Sequence, residues 1–296
     1  MKVKASAPGK LMLFGEHAVV YNYPCIMTTV SSKVSVEAEK ISSQLNIDNP
    51  QVKDNRFVEE TVKLFCEKYK VDNKLLIKTY SDFSSQYGFG SSAAVTVATI
   101  RALSDLYKIK MSKKEIFDLG YKVVLNIQGV GSGFDIAAAT YGGTLYFVTG
   151  GKFIEPLTVR DLYLVIGYSG IKADTTSVVN NLKLRIQNSK LKYKKIFESI
   201  KKIVEQAKVS LINSDWKKTG ELMNQNHKLL QELGVSTEKL DKMCQAADDA
   251  GAFGAKLSGA GGGDCMIALV PKDKIKVVEL SIIKAGGEIL NVKTNI

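Results

Sequence analysis

Gly88-Phe89-Gly90-Ser91-Ser92-Ala93-Ala94 (GFGSSAA, residues 88–94) follows an apolar run at 75–80 and a polar loop at 81–87. It opens an alanine- and leucine-rich stretch at 91–107. The spacing predicts a buried strand, a loop and then a helix. A helix start presents unpaired N–H groups and the positive end of its dipole, and glycines in front of it let the backbone approach an anion closely. Ser91 and Ser92 add hydroxyls that can cap the helix, touch a phosphate or ligate Mg2+. A simple capped helix start has the same composition. The pattern is not GxxxxGK[ST], so it is not a Walker-type loop.

Outward from this stretch, the first 80 residues read mostly as strands. Residues 33–40 (KVSVEAEK) alternate apolar and polar as a half-exposed strand does, and residues 57–69 read as a helix. Residues 113–127 give another helix, and 144–148 and 162–166 give strands. Residues 176–250 are nearly all helical in pattern, with breaks near Ser189, Ser214 and Gly234. The tail reads as a strand at 264–270, a helix at 272–285 and a strand at 288–292. Strands first, helices in the middle and mixed elements last define an α+β class. A division near residue 155, into 1–155 and 156–296, fits this order, although no linker marks it.

Three further segments carry chemistry. KLSGAGGGD (256–264) holds four glycines, Gly259, Gly261, Gly262 and Gly263, between a helical pattern and an apolar strand. That many glycines are costly to order, so a structured turn facing an anion fits better than a flexible linker. GVGSGFD (129–135) delivers Asp135 just before the apolar run IAAA, where an Asp ordinarily caps a helix. PGK (8–10) is followed by FGEH (14–17). The chain has two histidines: His17 sits in a polar turn between apolar runs, whereas His227 lies on an amphipathic helix and reads as structural. No GxSxG elbow or HExxH pair is present, which disfavours hydrolase and metalloenzyme chemistry.

The chain has 296 residues, 45% of them hydrophobic and 24% charged, as expected of a globular protein with a substantial core. Cys25, Cys66, Cys244 and Cys265 form no CxxC pair and read as buried thiols of a reducing compartment. No apolar run approaches the ~20 residues of a membrane span, and the first residues lack the apolar core of a signal peptide. A cytoplasmic protein with no membrane partner is expected. The net charge of +11 comes from 41 basic and 30 acidic residues. The lysines are spread out with no aromatic-interleaved stripe, so no nucleic-acid partner is expected; a positive field also suits anionic substrates.

Residues 6–21 (SAPGKLMLFGEHAVVY), GFGSSAA and KLSGAGGGD together resemble the three motifs of the GHMP kinases, in the family's order and over nearly the whole chain. Within that family, GEHAVVY, residues 167–179 (GYSGIKADTTSVV) and residues 224–236 (NQNHKLLQELGVS) are similar to members that phosphorylate mevalonate. The resemblance implies a two-lobed fold. Its N-terminal lobe is like domain 2 of ribosomal protein S5 and its C-terminal lobe is ferredoxin-like, with ATP in the cleft. It also implies transfer of the γ-phosphoryl of ATP to the C5 hydroxyl of mevalonate, in isoprenoid precursor synthesis. The family includes dimers, so a homodimer is compatible with it.

Carried over residue by residue, the resemblance makes Asp135 the group that orients and deprotonates the hydroxyl and Lys10 the cation beside it. Gly88, Phe89, Gly90, Ser91, Ser92 and Ala93 cradle the triphosphate, with Ser92 also on Mg2+. Glu16, His17, Thr175, Gly259, Ala260 and Gly261 line or shape the acceptor pocket. The sequence departs from the pattern at Val124, where a Mg2+-binding glutamate is expected, and at Asp264, where glycine is common. Residues 129–143 look closer to phosphomevalonate kinases, the main alternative, for which Lys172 and Arg185 are candidate cations for the extra phosphate. A sugar or homoserine kinase and a non-catalytic ligand sensor of the same fold are further alternatives.

Overall fold

Two long strands organise the first half of the molecule. β1 (Lys2–Phe14) runs antiparallel to β2 (Pro24–Lys40), the two joined through a 3-10 turn at Ala18–Tyr21. The computed structural model describes residues 2–52 and 54–294. β3 (Asn46–Asp48), α1 (Arg56–Tyr69) and β4 (Leu75–Ser81) follow. Then come α2 (Ser91–Leu106), α3 (Lys113–Gln128), α4 (Phe134–Tyr141), β5 (Thr144–Val148) and β6 (Phe153–Leu157). The sheet runs β3-β4-β2-β5-β6, with β1 paired to β2 off this path. α2 and α4 pack on β1 and β2, and the alanines of both helices are buried, so small side chains let helix and sheet approach closely.

The second half is built on β7 (Leu164–Tyr168), β8 (Gly254–Ser258), β9 (Cys265–Leu269) and β10 (Glu288–Ile289), in the antiparallel order β10-β7-β9-β8. α5 (Thr175–Asn188), α6 (Lys190–Ile212), α7 (Trp216–Glu232) and α8 (Glu238–Asp249) lie between β7 and β8, and α9 (Ile275–Lys284) lies between β9 and β10. α7 and α8 pack on β8, α9 packs on β7, and α6 reaches across to β1 and β2. None of the described helices is long and apolar enough to cross a membrane.

The strand expected at 162–166 begins two residues later, because Leu164 is the first residue in register with β9, opposite Leu269. The last strand stops at Ile289 rather than 292. The chain then returns to the first sheet, where Ser31 N–H donates to the Lys293 carbonyl at 2.8 Å and Thr294 bridges Val30. β8 is not foreseen by the sequence pattern. Its five residues are all buried, including Lys256, whose charge hides the strand from any apolar-run criterion.

β8 fastens the second half to the first. The Ser258 hydroxyl donates to the Met12 carbonyl at 2.9 Å and accepts from the Met12 N–H at 3.1 Å. Met12 is buried, so removing the hydroxyl strands backbone groups away from water. Ser258→Ala is expected to lower unfolding stability by about 1–3 kcal/mol, read as a shifted midpoint in urea; an unchanged midpoint would show that the two halves are held elsewhere.

Candidate active site

The register of β1 slips between Pro8 and Lys10. A bulge at that point re-aims the following side chain, as bulges beside functional sites commonly do. Lys10 gives its backbone N–H to the Phe89 carbonyl at 2.9 Å, and its ammonium donates to the Gly88 carbonyl at 3.0 Å. The same ammonium lies 3.1 Å from Asp135 Oδ1 and 5.3 Å from the centre of the Phe134 ring. β1, the 88–92 loop and α4 therefore meet at one charge. Asp135 is not the cap of α4; that position is Gly133, at φ 89°, and Asp135 sits in the first turn with its side chain toward Lys10.

Glycine is required where the loop passes Lys10. Gly90 has φ 74°, and a Cβ there would stand 3.1 Å from Lys10 Cε and 3.3 Å from Asp135 Oδ1. Gly90 also forms the start of α2, whose first turn holds no acidic residue, so the dipole end remains open to an anion. Ser91 and Ser92 lie in the wall between two cavities. One, of about 300 Å3, contains Lys10, Asp135, Glu16, His17 and Thr175. The other, of about 850 Å3, contains Asn49, Phe57, Thr79, Tyr87 and Lys172.

Of the residues singled out from sequence, Gly88, Gly90, Ser91, Ser92, Ala93, Lys10, Asp135, Glu16, His17, Thr175, Gly259 and Ala260 all line the smaller cavity. Phe89 and Gly261 do not. The Phe89 ring is turned into the core against Phe83 and Tyr87, leaving only its backbone to serve the loop. A Cβ on Gly261 would strike the Val235 carbonyl at 2.1 Å, so this glycine permits close packing behind the turn. His17 lies 2.8 Å through Nε2 from the Ala260 carbonyl, which makes Nε2 the protonated nitrogen. Burial pushes the His17 pKa down, so the ring is neutral at pH 7. His227 is structural, as its position suggests: Nδ1 accepts the Leu257 N–H at 3.3 Å.

Two residues of the site come into view only with the structure. Lys256 forms a buried ion pair with Glu16. Gln128 lines the cavity one turn further along α3 than Val124, which packs against the Gly131 backbone instead. Asp264, the departure in the third glycine turn, also lines the cavity; its Oδ1 accepts the Ala173 N–H at 2.9 Å, and its Oδ2 leaves no room for a Cβ on Gly88. Burial raises the Asp264 pKa, opposed by the Ala173 N–H and by the charges of Lys10 and Lys172. Arg185 is out of reach of the cavity's chemistry, because its guanidinium donates to the Leu233 and Gly234 carbonyls at 3.0 and 3.1 Å. Lys172 lines the larger cavity, not the smaller one.

A cation fixed on a carboxylate beside an open helix N-terminus, with a cavity on either side, is an arrangement suited to group transfer between a polyanion and a hydroxyl compound. Comparison with known proteins agrees. The profile described as "GHMP kinases N terminal domain" matches residues 56–143, and that described as "GHMP kinases C terminal" matches residues 207–287. The mevalonate kinase of Pyrococcus furiosus is 39% identical over 97% of this chain and 94% of its own length. The crystal structure of L. major mevalonate kinase in complex with R-mevalonate superposes with a TM-score of 0.84 at 28% identity, covering 99% of this chain and 95% of that one. A phosphomevalonate kinase of Streptococcus pneumoniae has a TM-score of 0.87 at 22% identity, covering 99% of each chain, a likeness of fold alone. The chain belongs to the GHMP kinase family.

The Gly90→Ala variant adds a methyl group between Lys10 and Asp135 at a left-handed position. It is expected to weaken nucleotide binding by at least ~10-fold, a loss of about 1.4 kcal/mol, while the fold persists. Titration calorimetry checks this, and wild-type affinity would show that the loop does not touch the phosphates.

Proposed function

We propose that this chain is a mevalonate kinase, transferring the γ-phosphoryl group of ATP to the primary hydroxyl of mevalonate. The observation that carries this reading is the shared wall: Ser91 and Ser92 line both cavities, and the Lys10–Asp135 pair lies on the smaller side. ATP then occupies the larger cavity with its triphosphate running along Ser91 and Ser92 to the start of α2. The acceptor occupies the smaller cavity with its hydroxyl toward Asp135. The likeness to mevalonate kinases over nearly the full chain supports this choice of acceptor.

In the transfer, the acceptor oxygen bonds to the γ-phosphorus as the bond to the β,γ-bridging oxygen breaks, and ADP leaves. Asp135 holds the hydroxyl in line and takes its proton. Lys10, held by the Gly88 carbonyl and Asp135, places a positive charge where charge builds on the transferring oxygens. Little covalent chemistry falls to the protein in such a step; alignment and charge neutralisation dominate.

Kinases of this class use Mg2+, and the residues fit a cation that arrives with the nucleotide. No group of three His, Cys, Asp or Glu side chains among the described residues could hold a resident metal. Among the described residues, buried Asp135 Oδ1 has no partner other than the Lys10 ammonium, and the Ser92 hydroxyl lies on the shared wall. A hydroxyl is an adequate protein share for an ion that keeps its waters and phosphates. Bound there, Mg2+ would neutralise phosphate charge; Ser92 would hold it, Asp135 stays with the acceptor hydroxyl, and Val124 takes no part.

The nearest alternative acceptor, 5-phosphomevalonate, needs cations for its phosphate. Neither Lys172 nor Arg185 lines the smaller cavity. Asp135→Asn and Lys10→Met are each expected to slow turnover on mevalonate at least ~10²-fold with the fold retained. Steady-state kinetics with circular dichroism as the folding control decides this; near-normal turnover in either variant overturns the role of the residue replaced.

A further inference from the structure

The larger cavity, which the reading above gives to ATP, is poor in positive charge. With one exception, its described lining residues lie between Val34 and Val95 of the first half, and none of these is a lysine, arginine or histidine. Two are carboxylates already in use: Asp54 is paired with Arg56, and Asp82 Oδ2 accepts the Lys33 N–H at 3.2 Å. The exception is Lys172, the one lining residue from the second half and the one cation among those described. A triphosphate is a polyanion. The start of α2 and the hydroxyls of Ser91 and Ser92 offer it hydrogen bonds, and Lys10 serves the end where transfer occurs. The remaining phosphates find no counter-charge on the described first-half residues that line the cavity.

Lys172 has a free side chain on a fixed backbone. Its side chain is exposed and enters none of the ion pairs among the described residues. Its two chain neighbours are both held by Asp264, which donates its N–H to the Ile171 carbonyl at 2.8 Å and accepts the Ala173 N–H on Oδ1 at 2.9 Å. The Asp264 carbonyl also accepts the Ser169 N–H at 2.8 Å. Asp264 sits at φ 56°, an uncommon conformation for a residue with a side chain. Glycine would take it freely but has no oxygen to offer Ala173. The charge of Lys172 reaches the Asp264 carboxylate, but the two make no ion pair, so the clamp does not consume the ammonium. Resting on the nucleotide reading above, we propose that Lys172 binds the non-transferred phosphates of ATP and ADP. Asp264 is then a positioning residue, holding residues 169–173 so that a lysine of the second half faces a cavity otherwise built by the first.

Lys172→Met changes an exposed side chain and is expected to fold normally. Titration calorimetry with Mg2+ is expected to show ADP bound about 10-fold more weakly than by wild type, the low end for a hydrogen bond to a charged group. The KM for ATP rises by a similar factor, while kcat and the KM for mevalonate stay nearly unchanged. Lys172→Arg, which keeps the charge, restores most of the affinity. Added salt weakens ADP binding less in Lys172→Met than in wild type, since one screened charge pair is gone. The part played by Asp264 is read by comparing D264N, which keeps an oxygen for the Ala173 N–H, with D264A, which does not. ADP is expected to bind D264A more weakly than D264N when Lys172 is present, and equally when Lys172 is replaced by Met. Unchanged ADP affinity in Lys172→Met, or a raised KM for mevalonate in place of a raised KM for ATP, overturns the phosphate contact. A difference between D264A and D264N that persists without Lys172 overturns the positioning role. Wild type that binds no ADP overturns the nucleotide reading beneath both.

Discussion

The placement of one ammonium group governs the architecture of this protein. Lys10 can touch the Gly88 carbonyl and Asp135 together only because β1 slips register before it, because Gly90 has no side chain, and because α4 begins on a glycine that leaves Asp135 in the first turn. Each of these is a local choice with a local cost. Gly90 and Gly133 both take left-handed conformations, and the bulge interrupts strand pairing. The cost is met by the packing around them: α2 and α4 lie on β1 and β2 through buried alanines, which fixes the loop and the aspartate on the same sheet.

The second half of the chain completes the cavity that the first half opens. Its third glycine turn brings Gly259, Ala260 and Asp264 to the cavity wall, Asp264 against Gly88 of the loop before α2, and the start of α5 brings Thr175. The connections across the seam are polar and buried: Ser258 with Met12, His17 with Ala260, Lys256 with Glu16. Buried polar links of this kind tolerate few alternative packings, because each displaced partner is left without water. They hold the cleft walls in register while leaving the interior open.

What the sequence discloses follows from how local each signal is. Helices α1, α2 and α3 and the breaks at Ser189, Ser214 and Gly234 are written in periodicity and in caps such as the Ser112–Glu115 box. The glycine-rich loop before α2 is legible because glycines followed by serines at a helix start leave a compact trace. Lys256 is not legible, since a lysine in a short strand looks exposed until its partner, 240 positions away in sequence, is known. Asp135 is ambiguous for a related reason: an Asp at a helix start commonly caps it, and only the position of Lys10 shows that this one does not. Arg185 shows the opposite case. Its type suits a binding site, but its guanidinium is spent on the Leu233 and Gly234 carbonyls in the packing behind it.

Asp135 and Glu16 both line the smaller cavity, which the proposed function gives to a hydroxyl acceptor and not to a phosphorylated one. The most direct measurement is ADP release from ATP with Mg2+, comparing mevalonate with 5-phosphomevalonate under identical conditions. Rapid turnover with mevalonate and little with the phosphorylated compound is the predicted result. A preference for 5-phosphomevalonate, or no ADP release with either, would contradict it.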